Sequence, residues 1–326
     1  MDEKCRFLGL FGPFGSTIHR LQRAFGVSSP GLIPTFSTAV NTWQCDENDH
    51  LNVQYYTEFG HEASAHLMAG LGLGPRAQRH AGLVVGIAED HVRYLREFRI
   101  IDTVEVRSAP VEIGERDLLA YHEIRNPADH RIAATLSRRI VCNKPWPASF
   151  RARSQAACLP LPDIARPRSV GKRALPDIAL ADARRVGLIE IGRAAIAPAE
   201  CDERGELLPH HQFGRYSDGA AFLWNHLGFD RSAMQDRQEG TVVVEMLNRY
   251  RHALRAGDLI VVMSGLAAFT DKVLTFMHFL FEVETGTLAA CAEAVGMKFD
   301  QKARKIMTFN EEDQARLGNR QLRLAA

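Results

Sequence analysis

The clearest pattern of hydrophobic positions lies between Asn52 and Leu71. Its apolar residues recur every three or four positions, and a glycine-rich stretch follows them: Tyr56, Phe59, Ala63, Leu67 and Leu71, then Gly72, Gly74 and Pro75. This spacing places one apolar stripe along a helix, and glycine with proline ends it. The pattern therefore predicts one long helix that buries a single face.

Shorter apolar or alternating runs surround this helix and predict β-strands. One run, residues 34–44, precedes the helix. Five runs follow it, separated by turn-forming residues such as Asn126-Pro127: 83–87, 92–98, 104–108, 118–125 and 132–143. A strand, a long helix and then four or five antiparallel strands indicate an α+β fold, with the helix across one face of the sheet.

The chain then repeats itself. Cys45-Asp46-Glu47 recurs as Cys201-Asp202-Glu203, 156 positions further on. The same offset aligns further pairs: Leu51 with Leu207, Ala65 with Ala221, Leu71 with Leu227, Arg93 with Arg249, Asp102 with Asp258, and His122 with His278. Matches that share one register predict two copies of one fold in tandem.

The repeat divides the chain into four segments. We predict an N-terminal extension at 1–33, a first domain at 34–147, a proline-interrupted linker at 148–185 and a second domain at 186–326. In the second domain we expect one helix over 209–227 and four strands, at 241–248, 259–267, 273–282 and 288–299.

Composition narrows the class of protein. The chain has 326 residues, 46% of them hydrophobic and 24% charged, with a net charge of +1. These values are typical of a soluble globular protein, and a net charge near zero gives no overall electrostatic attraction to nucleic acid or a membrane. No apolar run reaches about 18 residues, so no transmembrane helix is expected. Six cysteines without metal-site spacing predict free thiols, no bound metal and a cytoplasmic location.

The residues that lead into the first helix form the most specific motif. Asp46, His50, Asn52 and Tyr56 lie at the positions of the pattern Asp-x-x-Gly-His-Val-Asn-Asn-x-x-Tyr. The stretch resembles hotdog-fold thioesterases of the 4-hydroxybenzoyl-CoA thioesterase type, with an aspartate at the glycine position and a valine at the second asparagine. The resemblance implies two tandem hotdog domains, each a long central helix wrapped by an antiparallel sheet, with the sheets joined into one double hotdog.

The resemblance implies hydrolysis of an acyl-CoA thioester, with no cofactor beyond the coenzyme A of the substrate. The first N–H groups of a helix have no internal partner and lie at the positive end of its dipole. The N–H of Val53 is therefore our candidate for holding the oxyanion. Asp46 is the candidate nucleophile or general base. His50 either orients the loop or transfers protons, and Asn52 either caps the helix or contacts the substrate.

The helix itself carries further candidates. Tyr56 and Phe59 are expected to line the acyl site. Glu62 is a second candidate carboxylate, since some hotdog thioesterases place the catalytic acid within the helix. We include all three among the substrate-binding residues.

The second copy differs where the chemistry is expected. Glu206, Leu208 and Pro209 replace His50, Asn52 and Val53. Proline suits the first turn of a helix but has no N–H to donate. We therefore predict an active site at Asp46 and a degenerate one at Asp202.

Other interpretations stay open. Asp46 can be only a helix cap, and the repeated histidines at 122 and 278 favour a role in the fold or the domain interface. The second interpretation is an enoyl-CoA hydratase or dehydratase of the same fold. The stretch resembles the motif of those enzymes, which is Asp, then Asn-Pro, then His, but Asp49 stands where the proline belongs. A non-catalytic double hotdog that binds acyl-CoA is the third interpretation. Double-hotdog units of this family also pair, so a homo-oligomer is possible.

Overall fold

The computed structural model describes residues 31–173 and 176–323. The extension predicted for residues 1–33 lies outside this part of the chain, except for its last three residues. Of these, Ile33 already belongs to the first strand.

The first copy has the predicted order of elements. Strand β1 (Ile33–Ala39) precedes helix α1 (Val53–Gly70) and a short helix, α2 (Pro75–Ala81). Four antiparallel strands follow: β2 (Val85–Tyr94), β3 (Thr103–Ile113), β4 (Asp117–Arg125) and β5 (Ile132–Cys142). The long helix has the predicted position, with Asn52 as its N-cap and Leu71 as its C-cap.

One strand prediction was wrong. Residues 83–87 and 92–98 were expected to form separate strands, but β2 runs without interruption through the polar residues between them. These residues pair with the other copy, and the imidazole of His91 lies 2.9 Å from the Glu245 carboxylate. The polar stretch is thus part of the joint between the copies and not a turn.

The crossing segment and the second copy contain the remaining elements. Helix α3 (Ala148–Ala157), a 3-10 turn (Asp163–Ala165) and helix α4 (Leu180–Ala183) lie between the copies. The second copy comprises β6 (Ile189–Ala195), α5 (Pro209–Asp218), α6 (Ala220–His226), α7 (Arg231–Asp236), β7 (Glu239–Tyr250), β8 (Leu259–Phe269), β9 (Leu274–Glu282), β10 (Leu288–Asp300), β11 (Lys305–Ile306) and α8 (Glu311–Arg320).

The helix expected over 209–227 is divided, which corrects the prediction. Helices α5 and α6 meet at Gly219. A Cβ atom at this position would lie 2.6 Å from the carbonyl oxygen of Ile191 in β6. Glycine therefore lets the helix pair pass directly over the strand, and the helix breaks there.

The eleven strands of the described residues form one sheet, with the order β1-β3-β4-β5-β2-β7-β10-β9-β8-β6 and β11 beside β10. The copies join where β2 pairs with β7 in antiparallel register, and His91 lies opposite Leu247. These two residues are equivalent in the repeat, so a local twofold axis passes between them. Helices α1 and α5 also pack against each other. The predicted α+β double hotdog is confirmed.

Each copy holds a buried histidine at the same position of its strands. Nδ1 of His122 lies 2.7 Å from Ser108 Oγ, and Nδ1 of His278 lies 2.7 Å from Ser264 Oγ. Burial lowers the pKa of His122 to about 3 and the pKa of His278 to about 4. Both rings are therefore neutral near pH 7.

This burial predicts acid sensitivity. In the unfolded chain these histidines bind protons below their ordinary pKa of about 6.5, whereas in the folded chain they stay neutral. The free energy of unfolding is therefore highest above this pH and decreases as the pH falls. Each of the two histidines is expected to lower the free energy of unfolding by about 1.4 kcal/mol per pH unit between pH 6.5 and 5. Denaturant unfolding at pH 7, 6 and 5 measures this slope. His122→Gln should reduce it, while the exposed His252→Gln should leave it unchanged.

Candidate active site

A cavity of about 860 Å³ lies between the two copies. Its mouth is formed by the first copy, with Asp46, His50, Val53 and Tyr56 on its lining. Its body lies within the second copy, between the α5–α6 helix pair and the sheet. The apolar residues of the body include Phe213, Leu223, Trp224, Met246, Phe276 and Ala294. The site is thus composite, since neither copy forms it alone.

The Asp46 carboxylate shapes the loop at the mouth. Its Oδ1 accepts the N–H groups of Asn48 at 2.8 Å and His50 at 3.2 Å. Asp202 closes the equivalent loop in the same way, with Arg204 and Glu206 as donors. Asp49 adopts a φ of +59°, so it takes the left-handed conformation that glycine provides in the family motif. Asp49 therefore keeps the loop conformation that a glycine at this position of the motif would adopt.

Helix α1 begins at the cavity. The Asn52 side chain caps it, because Oδ1 accepts the N–H of Gln54 at 3.1 Å. Its Nδ2 donates to Ser217 Oγ of the second copy, also at 3.1 Å. The N–H of Val53 makes no hydrogen bond within residues 31–173 and 176–323. The cap thus ties the two copies together and leaves the first helical donor available at the mouth.

His50 is held by charged neighbours. Arg99 donates to its Nε2 at 3.1 Å, and a Glu97 carboxylate oxygen lies 3.4 Å from the same nitrogen. Burial lowers the pKa of His50, while the charges of Glu97 and Asp46 act against this shift. Arg304 of the second copy also reaches Glu97, at 2.7 Å. These contacts hold the His50 ring in place between the Asp46 loop and the mouth of the cavity.

The other predicted residues of the helix divide into two groups. Tyr56 lines the cavity, and its oxygen accepts the N–H of Phe98 at 3.4 Å. Phe59 does not reach the cavity, because it is 2% exposed and stacks on Phe36 in the first core. Glu62 is exposed and also lies away from the lining. Neither Phe59 nor Glu62 lies on the lining of this cavity, because the cavity follows the helices of the second copy.

The corresponding space in the first copy is filled. Asp90 and Arg138 face each other across β2 and β5, where the second copy has Met246 and Ala294. Arg138 donates to both Asp90 oxygens, at 2.6 and 2.7 Å, and both side chains are 0% exposed. Tyr250 also donates to Asp90, at 2.9 Å. We call Asp90, Arg138 and Tyr250 the Arg138 cluster.

The second loop also differs at its charged groups. The Asp202 carboxylate pairs with Arg204 at 2.9 Å. Helix α5 begins with Pro209, and Leu208 provides no side-chain cap. Asp202 therefore faces a helix start that lacks both a first N–H donor and a capping side chain.

Sequence reasoning missed the second-copy residues of the cavity, including Tyr216, Trp224 and His278. It assigned to each copy a pocket along its own helix. A usable signal was present in the repeat, since large or charged residues at 90 and 138 correspond to methionine and alanine at 246 and 294. That difference marks which copy has room for a ligand.

Two features of other protein classes are absent from the described part of the chain. No group of three or more His, Cys, Asp or Glu side chains converges there to hold a metal ion. None of the described helices has the length and apolar character that crossing a membrane requires.

The family and the fold of this chain both have known counterparts. The family model of the thioesterase-like superfamily matches residues 40–144 and 196–317. The fold is similar to that of a 12:0-ACP thioesterase from Umbellularia californica (TM-score 0.63, 13% identity, 85% of this chain and 97% of that chain covered). It is also similar to an acyl-ACP thioesterase from Bacteroides thetaiotaomicron (TM-score 0.59, 7% identity, 81% and 96% covered).

Comparison with curated proteins gave no match. The family match falls once on each repeat and leaves only the ends and the crossing segment uncovered. The chain therefore belongs to the thioesterase-like superfamily, as a tandem double hotdog.

Proposed function

We propose that the protein hydrolyses an acyl-CoA thioester to the free acid and coenzyme A at the composite site. The observation that carries this proposal is the meeting of the cavity with the start of α1. There the unpaired N–H of Val53 lies on the same lining as Asp46. Family membership supports thioester hydrolysis as the reaction class.

The helix start supplies the oxyanion site in this proposal. The thioester carbonyl oxygen accepts the N–H of Val53, which is strengthened by the positive end of the helix dipole. Both hydrogen bonds of Asp46 end on Oδ1, so Oδ2 is the oxygen that acts. It either removes a proton from water as the water attacks the carbonyl, or attacks the carbonyl itself to give a mixed anhydride that water then hydrolyses. The thiolate of coenzyme A leaves in both routes.

The two ends of the cavity suit the two ends of such a substrate. Arg96, Arg304 and Lys305 lie on the lining with the Asp46 loop, where cationic groups can pair with the phosphates of the carrier. The body of the cavity is lined mainly by apolar and aromatic side chains, which suit an acyl chain.

The second site is degenerate in this proposal. The acyl space that the Asp202 loop would use is occupied by the buried Arg138–Asp90 pair. Pro209 also removes the donor that corresponds to Val53. The protein thus has one catalytic centre per chain.

A proline substitution tests the oxyanion donor. Val53→Pro is expected to lower kcat by about 10²–10³-fold, the effect of removing one oxyanion-hole donor. The residue before it already has the extended conformation that proline requires, since Asn52 has φ −60° and ψ 142°, close to Leu208 before Pro209. Pro209→Val is the matched control and should leave turnover unchanged. Equal loss in both variants, or no loss in either, contradicts the assignment.

The assay itself discriminates among functions. Purified protein is incubated with a panel of acyl-CoA esters and a thiol reagent, with acyl-ACP of the same chain lengths as a second arm. Release of free thiol from acyl-CoA supports the proposal, and release from acyl-ACP alone corrects the carrier. A change in the enoyl absorbance without free thiol indicates the hydratase instead. Binding without either change indicates a non-catalytic acyl-CoA-binding protein.

A further inference from the structure

His278 lies on the lining of the cavity although it belongs to the buried sheet position shared with His122. It is 6% exposed, and its ring stacks on Tyr216 with centroids 5.0 Å apart. The ring of Phe276 lies next to it, with centroids 6.4 Å apart, and Trp224 lines the same cavity. A polar ring at this position is unusual for a cavity that holds only a hydrocarbon chain.

The equivalent histidine of the first copy has both ring nitrogens bonded. Nδ1 of His122 pairs with Ser108 Oγ at 2.7 Å, and Nε2 pairs with Ser64 Oγ at 3.0 Å. Ser64 donates its own hydrogen to the carbonyl of Gly60, so it accepts the hydrogen of His122 Nε2. The buried ring of the first copy therefore has no polar atom left to contact a ligand.

The second copy lacks one of these partners. Ala220 stands where the first copy has Ser64, and Ala220 and His278 both line the cavity. Nδ1 of His278 keeps its bond to Ser264 Oγ, and this hydroxyl has no other partner among residues 31–173 and 176–323. We assign the tautomer in which Ser264 donates to Nδ1, by analogy with the first copy, where Ser108 must donate to His122 because Ser64 accepts from Nε2. The hydrogen of the neutral imidazole is then on Nε2. That N–H has no hydrogen-bond partner in the same residues.

We propose that His278 Nε2–H is a specificity-determining donor that recognises an oxygen atom on the acyl chain, so that the preferred substrate is a hydroxy- or oxoacyl thioester. A buried donor left against hydrocarbon loses its hydrogen bond, whereas an oxygen at the same place restores it. The proposal rests on the proposed function, because it takes the cavity as an acyl site. The low pKa of His278 supports this proposal, because a ring with a pKa of about 4 is uncharged near pH 7 and gives no charge-based preference for a carboxylate.

The position of His278 limits where the oxygen lies. Ser217 receives the hydrogen bond from Asn52 at the start of α1, where the thioester is held. Ala220, which lines the cavity with His278, follows Ser217 by only three residues. The oxygen recognised by His278 is therefore only a few carbon atoms beyond the thioester carbonyl.

Binding measurements test this proposal separately from catalysis. The probes are non-hydrolysable ketone analogues of decanoyl-CoA, in which a methylene group separates the sulfur from the carbonyl, with or without a hydroxyl group on one of the next chain carbons. At least one hydroxylated analogue is expected to bind roughly tenfold more tightly than the unsubstituted one. Two variants should remove this preference. His278→Leu deletes the donor, and Ala220→Ser supplies the partner that Ser64 provides in the first copy.

The controls keep the outcomes distinct. Ala220→Ser changes only one small side chain, so it still tests the proposal if His278→Leu does not fold. His278→Gln retains a donor and should preserve part of the preference for the hydroxylated analogue. Equal binding of all analogues to the parent chain, or a preference unchanged in Ala220→Ser, overturns the assignment of His278. Absence of thiol release from every thioester overturns the proposed function instead, whatever the analogues show.

Discussion

Asp46→Asn is expected to lower kcat/KM for coenzyme A release by about 10²–10⁴-fold, the usual contribution of a positioned acid–base group. Asparagine keeps an oxygen that can accept the N–H groups of Asn48 and His50, so the loop should retain its shape. What it loses is the negative charge and basicity of the second oxygen. The loss should therefore appear in turnover while the free energy of unfolding stays close to that of the parent chain.

Asp202→Asn is the matched control for this experiment. It removes the same charge from an equivalent loop, whose oxygen accepts the N–H groups of Arg204 and Glu206. Turnover in this variant should equal that of the parent chain. Undiminished thiol release in Asp46→Asn would refute the site, and a parallel loss in Asp202→Asn would show that both loops contribute.

Arg138→Ala is expected to destabilise the fold by about 3–5 kcal/mol, because it leaves the buried Asp90 carboxylate without its cation. Arg138 donates two hydrogen bonds to that carboxylate in a region with no exposure to solvent. The second copy shows how the same space is built without charge, since Met246 and Ala294 are cross-strand neighbours there. Denaturant unfolding measures the loss.

The double variant Asp90→Met with Arg138→Ala places the second-copy residues at the equivalent positions of the first copy. It should recover most of the stability lost in Arg138→Ala, since replacing a buried ion pair by apolar residues is often neutral or favourable. It should not create a second active site, because Pro209 still lacks the donor. A loss below about 1 kcal/mol in Arg138→Ala would mean that water or a neighbouring group already compensates Asp90.

The fold was predictable from sequence to the extent that local patterns determine it. Apolar spacing located the long helix, and the repeated tripeptide located the second copy. The joint between the copies was not visible, because polar residues around His91 resemble a turn when considered within one copy. The break at Gly219 was also missed, since it depends on contact with a strand 28 residues earlier.

The candidate site was predictable only on its first-copy side. Asp46, His50 and Tyr56 were recognised by their motif and Val53 by its position at the start of the helix, and all four line the cavity. Phe59 and Glu62 were placed there because a helix was assumed to serve its own pocket. Periodicity does not say which copy's helix faces a cavity, so the contributions of the second copy, including His278, required three-dimensional contacts.

The local twofold axis between His91 and Leu247 has a consequence for inheritance. In a homodimer of single hotdogs, one codon specifies both sites, so a charge pair that fills one acyl cavity fills the other as well. A tandem gene removes this coupling. In the proposed site the first copy supplies the loop and the helix donor but has the buried Arg138–Asp90 pair in its own acyl space, whereas the second copy supplies the cavity but has Pro209 at the donor position. Under the proposed function, each copy is a separately inherited half of a single centre, and natural selection can change the chain preference through the second half without altering the Asp46 loop.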